Sequence, residues 1–201
     1  TSWVHYRYKE EYENFRGVNY TLGALYKPDD RFSFGLVYHS GFTGDVDYTQ
    51  SVTTRIATLG MGMDTAKRHQ EIDFPWAIGG GAAYRFPDDK LTLSMDVTYR
   101  AWDEFIVHDR RNRIIAQRKT SGVTGLPADE EEVDGTWTVR LGAEYVFVNE
   151  KASKKVIPPS LRAGLFYVPE PASHRPSRWW GLGKGDGKPD DYFGVAFGAG
   201  M

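Results

Sequence analysis

Six charged residues and one aromatic recur at spacings that give them a common direction. Arg85, Asp96, Arg100, Arg140, Glu144 and Arg162 all sit on the polar side of an alternating segment, and Trp102 continues the same side two residues beyond Arg100. Successive side chains of a strand point to opposite faces, so each of these groups stands opposite an apolar face. The planar fork of arginine suits a carboxylate, which opens two chemistries to the set: pairing with Asp or Glu across strands, or holding the head group of an anionic ligand. Uncompensated charges in a narrow interior are costly, so mutual pairing has the first claim. Four arginines face two carboxylates, Asp96 and Glu144, which leaves two positive charges over. Trp102, the one aromatic on that side, would line an apolar path or pack on a neighbouring segment.

Other chemistry is thin. His5, His39, His69, His108 and His174 are scattered without a His-Glu-x-x-His spacing, and only His108 has an adjacent carboxylate, so no metal site is expected. The absence of Cys removes thiolate nucleophiles, disulfides and Cys-based zinc sites. There is no Gly-x-Ser-x-Gly elbow. The glycine-rich stretch from Gly181 to Lys188 lacks the spacing of a phosphate loop and reads as a surface loop. Gly79-Gly80-Gly81 lies within an alternating segment, where glycine marks a bend or a close approach rather than a nucleotide cradle. The acidic run Asp129–Glu132 reads as a solvated loop. Neither catalysis nor a cofactor is expected.

The elements that must carry the charged set are strands. From Lys90 to Trp102 the odd positions Leu91, Leu93, Met95, Val97, Tyr99 and Ala101 are apolar, and the even positions are polar up to Trp102. Thr136–Phe147 repeats the pattern, with Trp137, Val139, Leu141, Ala143, Tyr145 and Phe147 on one side. A period of two over such lengths is the signature of a strand with one apolar face. Weaker copies run over Val18–Lys27, Arg31–His39, Trp76–Phe86, Leu161–Tyr167, Phe193–Met201 and Thr1–Lys9, which makes about eight strands. The composition agrees: 14% of the 201 residues are aromatic and 22 are Gly, a mix for strands and turns.

The connections alternate in length. Pro28-Asp29-Asp30 and Pro87-Asp88-Asp89 are tight turns, and the one around Asn149–Pro159 is somewhat longer. Between them lie long polar stretches, Gly41–Gln70, Asp109–Asp134 and Glu170–Asp190, expected as loops. Short turns at one end and long loops at the other are the rhythm of an outer-membrane meander. A soluble sandwich would need a second sheet over every apolar face. The charge balance, 25 Lys+Arg against 27 Asp+Glu, offers nothing to a nucleic acid. No run approaches the 18 or more apolar residues of a membrane helix, whereas barrel strands average out polar and escape that test.

Five segments, in order, carry a resemblance. Phe32–Thr43 (FSFGLVYHSGFT), Phe74–Trp102 (FPWAIGGGAAYRFPDDKLTLSMDVTYRAW), Trp137–Phe147 (WTVRLGAEYVF), Ser160–Pro171 (SLRAGLFYVPEP) and Pro189–Gly200 (PDDYFGVAFGAG) resemble the C-terminal half of the FadL/TodX-type outer-membrane transport family. The resemblance covers Val18–Met201. It implies an all-β fold: an antiparallel up-and-down transmembrane β-barrel, of which the chain supplies about eight strands out of fourteen. The single barrel domain 1–201 would then be a C-terminal fragment, lacking the N-terminal plug and the early strands. It also implies passive transport of long-chain fatty acids or other hydrophobic compounds across the bacterial outer membrane. The partners would be a hydrophobic small molecule and outer-membrane lipid, and Trp102 would either line the hydrophobic path or pack on the plug. The rival readings are a structural or adhesive outer-membrane barrel, and a soluble β-domain binding a lipophilic ligand.

Overall fold

The computed structural model describes residues 4–56, 60–110, 118–129, 132–147, 159–172 and 191–200. Their twelve strands form two antiparallel sheets, each in a compact unit of its own. The strands are β1 (Val4–Arg16), β2 (Thr21–Tyr26), β3 (Phe32–His39), β4 (Phe42–Ile56), β5 (Gly60–Phe74) and β6 (Ala77–Arg85). They continue with β7 (Leu91–Arg100), β8 (Ile106–Arg110), β9 (Arg118–Ser121), β10 (Thr136–Val146), β11 (Ser160–Val168) and β12 (Tyr192–Gly200).

Seven strands, in the order β12-β11-β10-β7-β6-β3-β2, make one sheet. They are the alternating segments of the sequence, with ends shifted by no more than about three residues. Register keeps the apolar parity of all seven on a single face: one row crosses the whole sheet through Tyr26, Phe34, Ala82, Met95, Leu141, Leu165 and Val195. That face is exposed. Leu141 keeps 47% of its surface open, Leu165 55% and Val195 64%. A soluble sheet would hide such a surface, and its exposure across seven strands is what a lipid-facing wall requires.

Aromatic rings collect at both ends of this face. Near one end Tyr38, Trp76, Tyr99 and Trp137 follow one another, with centroid distances of 6.4, 5.3 and 5.0 Å. Near the other, Phe32 lies 4.7 Å from Tyr84, which lies 5.0 Å from Phe86, while Tyr145 and Phe147 are 5.1 Å apart. Leu36, Val97, Met95 and Leu141 occupy the band between. From Trp76 to Tyr84 is about 26 Å along a strand, or about 20 Å once the strand is tilted by ~40°, close to the apolar band between the aromatic girdles of membrane barrels. Among the described residues, the edge strands β2 and β12 do not pair with each other, so this sheet is not closed on itself.

The tight turns form for the reasons their residues suggest. Asp29 accepts hydrogen bonds from the amides of Phe32 and Arg31 at 2.7 and 2.8 Å, and these hold its carboxyl below the ordinary carboxylate range. A lowered folded value places this contribution above the unfolded carboxylate range and removes it as pH falls through the folded value. Asp89 takes a φ of 56°, a left-handed conformation that Asp tolerates. At the opposite end the chain leaves the sheet after His39 and Arg100 and re-enters at Ala77 and Thr136, all on one row with Thr21. In membrane barrels the short turns are periplasmic. In intact cells, an impermeable label is therefore expected to reach cysteines placed between Asp109 and Asp134 and to miss one placed at Asp88. Equal labelling of both would overturn this orientation.

The other sheet, β1-β4-β5-β8-β9, corrects two expectations. Gly41–Gln70 is not a loop: most of it lies in β4 and β5, which pair from Phe42↔Phe74 to Ile56↔Gly60. Within Asp109–Asp134, β9 pairs with β8. These strands carry polar residues on both faces, so β-branched content (Val46, Thr49, Val52, Thr53, Thr54) sets their extended shape without a hydrophobic alternation to announce it. The strand expected at Thr1–Lys9 is the first part of β1. It pairs with β4, Tyr12 opposite Tyr48, rather than extending the seven-stranded sheet. Val46 and Tyr48 are buried, at 3% and 6% exposed, and the rings of Phe42 and Phe74 stack at 4.6 Å with Phe105 5.6 Å from Phe74. Gly181–Lys188 and His174 fall outside the described residues, as do Glu130 and Glu131 of the acidic run.

Candidate ligand-binding site

The polar face of the seven-stranded sheet is built from rungs. Each rung is a row of directly opposed residues, and charged rungs alternate with rungs of small side chains. Near the tight turns, one row runs Arg85, Thr92, Glu144, Arg162, Gly198. Four residues along the strands, about 13 Å away, the next charged row runs Gly35, Gly81, Asp96, Arg140, Phe166, Gly194. A further four residues on, Arg100 stands between Ala77 and Thr136. The six charged positions expected to share a face do share it.

Register also decides which of them pair. Arg140 Nη1 lies 3.1 Å from Asp96 Oδ1, and Arg162 Nε lies 2.8 Å from Glu144 Oε1, each across directly opposed positions. Both pairs are partly open to solvent, so each is worth at most about 1 kcal/mol as an ion pair. Their consequence is arithmetic: the two carboxylates are taken. Among the described residues, Arg85 and Arg100 make no ion pair. The Arg100 guanidinium lies 5.2 Å from the centre of the Trp102 ring, a cation–π contact.

Trp102 departs from the expectation that it continues the strand. β7 ends at Arg100, and Trp102 opens a single 3-10 turn, Trp102–Glu104, so its ring meets Arg100 from beyond the sheet. Just before this turn the Ala101 amide donates to the carbonyl of Trp76 at 3.1 Å.

Between the charged rungs lies a hollow of about 460 Å³. Gly23, Gly35 and Gly81 leave backbone open on this face and Gly79 lies buried beside them, while Leu25, Val37, Thr98 and Asp96 stand around them. The glycines do different work. A side chain at Gly79 would come within 3.0 Å of Thr98 Oγ1 and 3.2 Å of Val37, so close packing of neighbours explains glycine there. At Gly35 nothing lies within 4 Å of where a Cβ would be, so its absence leaves open space. A second depression of about 740 Å³, at the tight turns, brings Arg85 beside Lys27, Asp29, Arg31 and Asp89.

The sequence reading missed the apolar residues of this face. Leu25, Val37 and Phe166 fall on it by register, opposite Gly35, Gly79 and Arg140 respectively. Phe166 lies across the backbone of Gly194, where a Cβ would meet its ring at 2.0 Å. The signal was the mixed parity of Leu25 within Leu22–Tyr26 and of Phe166 within Leu161–Tyr167, where both parities are apolar.

This arrangement offers apolar surface, exposed backbone and two guanidinium groups, Arg85 and Arg100, outside the two ion pairs, with no nucleophile and base in contact among its residues. A family described as outer membrane protein transport protein (OMPP1/FadL/TodX) matches residues 9–178. No curated protein matches the chain.

Proposed function

We infer what the polar face does from this premise: the chain belongs to the outer-membrane transport family, and its place is the bacterial outer membrane. It is a member of a family of transporters rather than of enzymes. In a barrel of that membrane the apolar faces meet lipid, so the rungs face the lumen and line the path of the transported compound. The compounds are hydrophobic: long-chain fatty acids or hydrocarbons of similar girth, moving passively.

The observation that carries this reading is the hollow at Gly23, Gly35, Gly79 and Gly81. Its volume is within the range of small-molecule sites, and its walls are mainly apolar or backbone, which suits a chain or ring without hydrogen-bonding groups. A purely structural barrel has no use for open space at Gly35. Phe166, on the Asp96–Arg140 rung, extends apolar surface beyond the hollow.

Filling the hollow tests the proposal without threatening the fold, because a side chain at Gly35 meets no atom within 4 Å of its Cβ. Gly35→Leu is expected to slow uptake of a fluorescent long-chain fatty acid several-fold while leaving the amount of folded protein in the outer membrane unchanged. Unchanged uptake by Gly35→Leu would remove the hollow from the path and favour the structural or adhesive reading.

A further inference from the structure

One face of the five-stranded sheet carries a second constellation, unrelated to the hollow. Asp45 and Asp47 alternate on β4, and His69 and Glu71 alternate on β5; register sets Asp45 opposite Glu71 and Asp47 opposite His69. Four side chains of metal-ligating type thereby occupy the corners of one cross-strand square. One ligand atom from each of Asp45, His69 and Glu71 lies within 4.8 Å of the others. A tetrahedral zinc with ligands at ~2.0–2.1 Å needs them about 3.3 Å apart, a closing movement within reach of side-chain rotation. Asp45 and His69 are about half exposed, at 53% and 46%.

We propose that Asp45, His69 and Glu71 bind a borderline divalent cation of the zinc class, with Asp47 as the residue that positions His69. The roles divide by partner. His69 Nε2 lies 3.3 Å from Asp45 Oδ1, on the side of the ligand cluster, while Nδ1 lies 3.3 Å from Asp47 Oδ1. Asp47 is itself anchored, accepting a hydrogen bond from Asn14 Nδ2 at 2.9 Å through its other oxygen. A ring nitrogen held by an anchored carboxylate, with the opposite nitrogen turned to further carboxylates, is the carboxylate–histidine–metal arrangement. An imidazole ligand favours zinc, copper or nickel over calcium and magnesium, which prefer all-oxygen sites.

A second histidine repeats the device beside the first. His108 stands directly opposite Glu71 on β8 and donates from Nε2 to Asp73 Oδ2 at 2.6 Å. Asp73 is anchored in turn by the Thr43 hydroxyl at 2.6 Å. The remaining nitrogen of His108, Nδ1, is buried with no hydrogen-bond partner among the described residues. The three proposed ligands come from β4 and β5, so a bound cation would tie these two strands together.

The test is calorimetric titration of the full chain, folded in detergent and stripped with a chelator, with Zn²⁺ alone and with Ca²⁺ alone. One Zn²⁺ per chain is expected, with Ca²⁺ at least tenfold weaker. His69→Ala is expected to weaken Zn²⁺ at least 100-fold, and Asp47→Asn 10–100-fold as a residue behind the ligand. His5→Ala and His39→Ala, on other parts of the chain, are expected to change nothing. Should His69→Ala fail to fold, Co²⁺ added to the unsubstituted chain reads the same site, through visible absorption bands of tetrahedral strength. Absence of stoichiometric Zn²⁺ binding, unaltered binding in a folded His69→Ala, or Co²⁺ bands of only octahedral strength would each overturn the proposal.

Discussion

Leu141→Arg is expected to destabilise the protein in a bilayer by about 2–4 kcal/mol, the cost of a lipid-facing arginine near the midplane of a barrel wall. Leu141 sits at the centre of β10, in the row that crosses all seven strands, and is exposed. Arg140, its neighbour in the chain, projects from the opposite face to its ion pair with Asp96. The comparison is therefore internal: arginine at 140 is tolerated and arginine at 141 is not. Reversible unfolding in lipid vesicles measures the difference, and Thr138→Arg, on the polar face, is the control expected to cost well under half as much. If Leu141→Arg and Thr138→Arg cost the same, the apolar face does not meet lipid. A lipid-borne quencher gives an independent reading. It is expected to reach labels at Leu93, Val97, Leu141 and Tyr145, and failure to reach them would count against the same assignment.

The second large effect concerns Arg85 and Arg100, which make no ion pair among the described residues. If either Arg85 or Arg100 holds the head group of a fatty acid, the protein binds the acid more tightly than the matching alcohol. The charge-assisted hydrogen bond is worth roughly 1.5–3 kcal/mol, or about 10–150-fold in affinity. Arg100→Gln or Arg85→Gln is expected to abolish that preference. Arg140→Gln and Arg162→Gln are expected to change it little, because Asp96 and Glu144 already occupy those forks. Binding of the two compounds to wild type and the four variants, measured by competition with a fluorescent fatty acid, separates the cases. Equal binding of acid and alcohol in every variant would make all four arginines structural and the ligand an uncharged hydrocarbon. The cation–π contact gives Arg100 a further signature: Trp102 fluorescence is expected to respond to the acid and not to the alcohol.

The seven strands of the membrane wall were legible in the sequence because one solvent dictates one pattern. A wall with lipid on one side needs an unbroken apolar parity, and Leu91–Ala101 and Trp137–Phe147 display it without interruption. Turn chemistry was equally legible, since Pro followed by Asp is a local instruction that Asp29 carries out with its own neighbouring amides. The parity of Arg85, Asp96, Arg100, Arg140, Glu144 and Arg162 followed from the same alternation. Parity puts side chains on a face, but it does not say which residue stands opposite which.

That remainder belongs to register, a property of two distant segments together. Arg140 meets Asp96 across 44 positions of sequence, and no local pattern distinguishes that pairing from Arg100 with Asp96. The hollow is likewise made where three strands, β2, β3 and β6, bring their glycines side by side. The five-stranded sheet was the least legible, because both of its faces are rich in polar residues and the periodic signal vanishes even though the strands are long. Asp45-x-Asp47 and His69-x-Glu71-x-Asp73 are polar stretches of a loop until a hairpin folds them together. Only the pairing of β4 with β5 turns their spacing of two into one shared face, because hydrogen bonds between strands, not the chain itself, bring the imidazole within reach of the carboxylates.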